Sequence, residues 1–189
     1  MIRLAILGSG SGSNALNILS HFQASSSIEI SLIAHNKLDI GIIEHARNFQ
    51  VPTYYLTKDN FLLSNEFLLE LQNRKIDWII LAGFLWKIPS SLCSAYPDKI
   101  INIHPALLPK YGGKGMYGHF VHDAVFQAKE KESGITIHLV NEEYDKGAIL
   151  FQASVALEEQ DTPEVIEKKV RELEIKHFPL VIENQLIHP

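Results

Sequence analysis

Apolar runs of strand length alternate with helical stretches from the first residue onward. Ile2–Leu7 is almost continuously apolar and ends at glycine, the mark of a strand covered on both faces. Asn14–Phe22 follows as a helix with Ala15, Leu16 and Leu19 inward. The alternation continues with a strand at Ile28–Ala34, a helix at Ile40–Asn48 and a short strand at Pro52–Leu56. In the next helix, Ser64–Arg74, Phe67, Leu68 and Leu71 recur at helical spacing. Trp78–Leu81 is a third buried strand. A short helix begins near Pro89 and stops before Pro97, where a proline ring forbids continuation. Ile100–His104 is again a strand and runs into a long glycine-rich loop. His119–Lys129 then reads as a helix, and Ile135–Val140 and Ile149–Ala156 as strands. The last helix opens at Thr162-Pro163-Glu164, a cap followed by proline at the first helical position, and reaches Ile187 with a kink or break at Phe178-Pro179. This order predicts an α/β fold: one Rossmann-like domain over residues 1–189, with a mostly parallel twisted sheet and helices on both faces.

Composition narrows the function classes. The 189 residues suffice for one domain with a substantial core. An apolar content of 46% and a charged content of 21% are those of an ordinary soluble protein. The net charge of −5 and the lack of any lysine or arginine run argue against a nucleic-acid surface. Met1–Leu7 reaches glycine too soon for a signal peptide, and no apolar run has membrane length. Cys93 is the sole cysteine, so no internal disulfide forms, which fits the cytoplasm. It has no adjacent histidine and reads as a packed residue.

The first strand empties into Gly8-Ser9-Gly10-Ser11-Gly12-Ser13-Asn14, which opens the first helix. Such a turn brings backbone N–H groups and the positive end of a helix dipole to an anion. A dinucleotide fingerprint needs glycine where Ser13 stands, and an acid closing the second strand, where the chain reads Ala34-His35-Asn36 with Asp39 too late. The lysine of a nucleoside-triphosphate loop is also missing. A monophosphate is the better occupant; a bare strand-to-helix turn is the alternative.

The densest chemistry lies in Ile101-Asn102-Ile103-His104-Pro105-Ala106-Leu107-Leu108-Pro109, with Asp145-Lys146-Gly147 some forty residues on. Asn102 and His104 are two apart on a strand, so they share a face at the strand end, where an open α/β sheet holds its ligand. An amide donor, an imidazole and a carboxylate from a second strand end can stabilise an oxyanion and move a proton. Taken singly, Asn102 satisfies a loop, His104 is a buried structural histidine, and Asp145-Lys146-Gly147 is a turn. Glu142 and Glu143 stand close in sequence and are expected to raise the pKa of Asp145, while Asp145 is expected to keep His104 charged. His119, His122 and His138 suggest a metal, but no cysteine accompanies them and no His-Glu-x-x-His occurs, so none is expected.

Asn102-x-His104-Pro105-Ala106-Leu107-Leu108-Pro109 together with Asp145-x-Gly147 resembles the folate-dependent formyltransferase family, with related segments from Ile6 to about Leu180. The resemblance implies the formyltransferase fold and transfer of a formyl group from 10-formyltetrahydrofolate to a primary amine. Its nearest form implies the amine of glycinamide ribonucleotide in purine biosynthesis. It further implies Asn102, His104 and Asp145 as the catalytic three, with His138 in support. Gly12, Ser13, Asn14 and Ala15 are implied to hold the ribonucleotide phosphate, and Glu174 to meet the amine substrate. Leu85, Trp86, Lys87, Ile88, Asn141 and Glu142 are implied to face the folate; Trp86-Lys87 departs from the common pattern of that loop. The loop Lys110–Gly118 is a few residues longer than usual and carries four glycines, which suggests a mobile flap.

The resemblance implies small-molecule partners, no nucleic acid, no membrane, and a monomer or homodimer. Another amine is the alternative acceptor, on an amino sugar nucleotide or an aminoacyl-tRNA. The acidic charge, the short length and Tyr111-Gly112-Gly113 after the Leu-Leu-Pro run, where tRNA-directed relatives favour Arg-Gly, count against tRNA. A catalytically dead nucleotide- or folate-binding module is disfavoured by the intact Asn102, His104 and Asp145, and a dinucleotide oxidoreductase by the glycine spacing.

Overall fold

The structure is a computed structural model describing residues 1–38 and 40–187; Asp39 lies outside the described residues. The chain forms two compact units, one from Met1 to Ile101 and one from Asn102 onward. Among the described residues no helix is long and apolar enough to cross a membrane.

In the first unit the strands β1 (Ile2–Gly8), β2 (Ile28–His35), β3 (Thr53–Tyr55) and β4 (Trp78–Leu81) lie in the order β3-β2-β1-β4. β1 pairs with β2 and with β4, and β2 with β3, all parallel. Leu4–Leu7, Leu32–Ala34 and Ile79–Leu81 are buried, which explains why these segments of the strands are unbroken apolar runs. The connecting helices are α1 (Ser13–Phe22), α2 (Gly41–Asn48), α3 (Glu66–Asn73) and α4 (Ser90–Ala95).

Two sequence expectations need correction in this unit. Leu16 does not face inward; it is 37% exposed, and Ile18 takes its place beside Ala15 and Leu19. The helix expected from Ser64 starts at Glu66, and a π-helical turn over Asp59–Leu63 precedes it. That turn has a local cause. Thr57 N–H donates to Asn60 Oδ1 and Asn60 N–H donates to Thr57 Oγ1, a reciprocal box that nucleates a turn there. It delivers Phe61 into the core beside Phe67, with ring centroids 5.7 Å apart.

β5 (Ile100–His104) starts in the first unit and its last three residues belong to the second. There the strand order is β5-β6-β7, with β6 (Glu132–Leu139) antiparallel to β7 (Ile149–Ala156). α5 (His119–Gln127) is two residues shorter than expected, and β6 begins three residues earlier than expected. α6 (Pro163–Ile187) opens as its sequence predicts, with Val165 N–H donating to Thr162 Oγ1. It is not broken at Pro179. Phe178 and Pro179 are buried, and that packing offsets the one helical hydrogen bond that proline cannot make.

Thr136, on β6 and fully buried, organises the segment after β5. Its hydroxyl donates to the Ala106 carbonyl (2.7 Å) and accepts from Leu108 N–H (2.9 Å) and Gln152 Nε2 (2.8 Å). Gln152 Nε2 also donates to the Leu108 carbonyl at 3.0 Å. Within the irregular Ala-Leu-Leu-Pro run, the Ala106 carbonyl and both backbone polar groups of Leu108, the two buried residues, are thereby given partners.

Candidate functional site

Asn102 and His104 leave the end of β5, and His138 lies near the end of β6. Asp145 stands in the loop between β6 and β7. Its backbone is left-handed (φ 55°), a region in which aspartate and asparagine are the best-tolerated residues after glycine. Gly147 makes the same loop possible, because a Cβ there would collide with the Leu139 carbonyl oxygen.

These segments bring four side chains together. His104 Nδ1 lies 3.8 Å from Asp145 Oδ2, and His138 Nε2 lies 3.7 Å from Asp145 Oδ1. Asn102 Nδ2 lies 3.1 Å from His138 Nε2. Both rings have an assignable proton, since a carbonyl only accepts. His138 Nδ1 donates to the Leu139 carbonyl (2.7 Å), so in the neutral ring Nε2 is the acceptor and the Asn102 amide donates to it. His104 Nε2 donates to the Tyr111 carbonyl (2.7 Å), so in the neutral ring the Nδ1 lone pair faces Asp145. Gly113 N–H donates to Asp145 Oδ2 at 2.8 Å.

The electrostatics differ from the sequence expectation on two points. Burial, with His104 only 4% exposed, pushes its imidazole below the usual histidine range; the charge of Asp145 and the Tyr111 hydrogen bond oppose this without overcoming it. Asp145 therefore does not keep His104 charged in the resting site. Asp145 is not raised by Glu142 and Glu143 either. Burial alone would raise it, but the neighbouring His138 ring, 3.7 Å away, the positive charge that His104 carries when protonated and the Gly113 N–H together hold its carboxyl below the usual carboxylate range. At neutral pH the arrangement is an anion beside an imidazole with a free lone pair, which can accept a proton while charge develops on a nearby oxygen.

The other expected residues occupy separate places. Gly12 precedes α1 with φ 78°, and a Cβ there would strike the Ile42 backbone, so only glycine lets the turn pack against the start of α2. Ser13, Asn14 and Ala15 form the opening turn of α1, the part of a helix whose N–H groups find no partner within it. In the same unit Leu85, Trp86 and Lys87 lie on an exposed or half-exposed loop, and Ile88 is buried. Ser9, which the sequence reading passed over, ties turn and loop together: its N–H donates to the Gly83 carbonyl (3.1 Å) and its Oγ accepts from Leu85 N–H (3.0 Å). Trp86 and Phe84 pack against Phe61 at 5.9 and 5.3 Å. Asn141 and Glu142 are exposed in the β6–β7 loop, and Glu174 is half-buried on α6.

Tyr111 and Gly113 were also missed, because they act through a carbonyl and an N–H that every residue carries. The glycines beside Tyr111 were the one available signal. An added Cβ at Gly112 would come within 2.5 Å of Leu108 Cδ2 and into ordinary contact with the Asp145 side chain, 3.4 Å from its Cβ.

The chain is similar to known proteins over nearly its whole length. A family model described as formyl transferase matches residues 2–182. Phosphoribosylglycinamide formyltransferase of Arabidopsis thaliana, a chloroplastic protein, is 41% identical over 95% of this chain, which spans 64% of that protein's length. The enzymes of that name from Haemophilus influenzae and Bacillus subtilis are 34% and 32% identical, with 96% and 98% of this chain matched to 86% and 95% of theirs. The solved structure of phosphoribosylglycinamide formyltransferase from Bacillus halodurans aligns over 98% of this chain and 96% of its own, with a TM-score of 0.89 at 31% identity. That from Brucella melitensis aligns over 100% and 97%, with a TM-score of 0.87 at 31% identity. The mostly parallel α/β class expected from the sequence is thus that of the formyltransferase fold. This chain belongs to the formyl transferase family.

Proposed function

We propose that the chain transfers a formyl group from 10-formyltetrahydrofolate to the amine of glycinamide ribonucleotide, as a single formyltransferase domain over residues 1–189. The family supplies the reaction class. What carries the reading is the convergence of Asn102, His104 and Asp145, with His104 Nδ1 directed at Asp145 Oδ2.

The substrate amine attacks the formyl carbon, a C–N bond forms, and negative charge grows on the formyl oxygen. The Asn102 amide, oriented by His138, donates to that oxygen; such a donor contributes about two orders of magnitude in rate. His104 accepts the amine proton on Nδ1. The resulting imidazolium is stabilised by Asp145 and sits beside the oxyanion it neutralises. Collapse breaks the bond to N10 of the folate, and the same proton goes to that nitrogen. Nothing remains attached to the protein, and protons balance between amine and folate.

Gly12, Ser13, Asn14 and Ala15 hold the ribonucleotide phosphate, and Glu174 meets the same substrate. The loop of Leu85, Trp86, Lys87 and Ile88 takes the folate through main-chain groups, as do Asn141 and Glu142. The aromatic backing of Phe61 suits a flat ring system. The single cysteine fits a cytoplasmic enzyme, and the proposed reaction needs small-molecule substrates alone, with neither metal nor nucleic acid, in a monomer or homodimer. The test is spectrophotometric detection of deformylated folate with glycinamide ribonucleotide, run beside an amino sugar nucleotide and an aminoacyl-tRNA. Turnover only with one of the latter two overturns the choice of acceptor.

A further inference from the structure

His104 is fixed through the carbonyl of Tyr111, and that carbonyl is held where no sequence motif suggests an anchor. Tyr111 has φ 55°, a left-handed conformation that a bulky residue adopts only when its surroundings enforce it. Glu130 supplies the enforcement. Its Oε1 accepts from the Tyr111 hydroxyl at 2.9 Å and from Lys110 Nζ at 2.9 Å. Both partners hold the Glu130 carboxyl below the usual carboxylate range, so it is an anion at working pH.

Glu130 is itself immobilised. It follows the end of α5, where Lys129 turns left-handed (φ 52°), Lys129 N–H donates to the Phe126 carbonyl and Glu130 N–H to that of Val125. That pair of bonds is a Schellman-type helix stop. A continuous chain of fixed groups then runs from the helix end through the Glu130 carboxylate, the Tyr111 ring and the Tyr111 carbonyl to His104 Nε2. Two residues on, the same turn supplies the N–H that holds Asp145.

We propose that Glu130 is a positioning residue for the formyl transfer: by clamping the Tyr111 hydroxyl it sets the main-chain turn that fixes the ring of His104 and the carboxylate of Asp145. The inference rests on the proposed function for its kinetic arm but not for its spectroscopic one.

The experiment compares the parent chain with Tyr111→Phe, Glu130→Ala, the double variant and Glu130→Gln. Tyr111→Phe and Glu130→Ala are each expected to lower kcat about tenfold with KM for both substrates within about twofold, because ring placement matters most in the transition state. The double variant should lose no more than the worse single one, since both cut one chain. Glu130→Gln keeps an oxygen for the tyrosine hydroxyl and should recover most of the loss. Proton NMR supplies the arm that needs no turnover. The parent should show a slowly exchanging, downfield His104 Nε2–H, assigned by its loss in His104→Ala and broadened by water exchange in Tyr111→Phe and Glu130→Ala. Variants that keep that resonance, lose activity additively, or stay within about twofold of the parent kcat overturn the inference. A parent that shows the resonance and the variants' loss of it, yet turns over no glycinamide ribonucleotide, upholds the clamp and overturns only the substrate assignment.

Discussion

Asparagine at position 145 separates charge from shape. The substitution keeps an oxygen for the Gly113 N–H at 2.8 Å and removes the negative charge 3.8 Å from His104 Nδ1. Once His104 has taken the amine proton, that pair is worth about 1 kcal/mol in bulk water and about 4 kcal/mol at an effective dielectric constant near 20. His104 is almost wholly buried and the Asp145 side chain is 13% exposed, so the upper part of the range applies, roughly 3 kcal/mol. At about 1.4 kcal/mol per factor of ten, kcat of Asp145→Asn falls by on the order of 100-fold from lost charge alone. The assay is initial-rate formation of deformylated folate, with circular dichroism and a thermal melt to establish that the variant folds. A folded variant with kcat within about fivefold of the parent would refute the idea that Asp145 stabilises a charged His104 in the transition state.

Four further outcomes follow from the geometry. Because His104 must be neutral to accept the proton and burial depresses its pKa, kcat/KM should rise with pH through a midpoint below the ordinary histidine value of 6.5 and then level off; a fall over that window would mean that the protonated ring is the active form. His104 and His122 both titrate below their unfolded value, burial being the main cause, so the stability they contribute is present above pH 6.5 and lost as pH falls through their folded pKa values; His122→Leu should flatten the decline of Tm below pH 6.5, and an unchanged slope would count against this. Thr136→Val strands the buried Leu108 N–H and Ala106 carbonyl, costing about 3 kcal/mol, or a Tm drop on the order of 10 °C by calorimetry, and a drop below about 3 °C would disprove the cost assigned to that hydroxyl. Ser13→Glu puts a second anion into the proposed phosphate turn and should raise KM for the ribonucleotide at least about tenfold, while an unchanged KM would place the phosphate elsewhere.

The fold was legible wherever burial fixes the pattern. Trp78–Leu81 and Ile100–His104 fall on the expected residues because buried apolar runs bounded by turns leave little choice, and Ile149–Ala156 does so as an alternating strand with no fully buried residue. Expectation failed where a local hydrogen-bonding box outweighed periodicity, as at Thr57–Asn60, and where packing outweighed a proline, as at Pro179. At the site, Asn102, His104 and Asp145 stood out by side-chain chemistry and His138 through the resemblance alone, and the fold brings these four side chains together. Their charge state was not readable, because burial of His104 depends on the whole surrounding shell. Tyr111, Gly113 and Glu130 were not singled out for a different reason: the first two meet the site through main-chain groups, and the carboxylate of the third accepts from a tyrosine hydroxyl and an exposed lysine rather than from a site residue.

The left-handed backbone at Asp145 restricts how this residue can be probed or replaced. Chemistry asks for an acid there, and the tight loop independently admits few side chains beyond aspartate, asparagine and glycine. Truncation to alanine would combine lost charge with a distorted loop and inflate the apparent importance of the carboxylate. Glutamate, although it keeps the acid, would fit that loop worse than asparagine. Selection at this position therefore acts twice on one residue, and a functional substitute would have to satisfy the peptide geometry before it could be tried in the reaction.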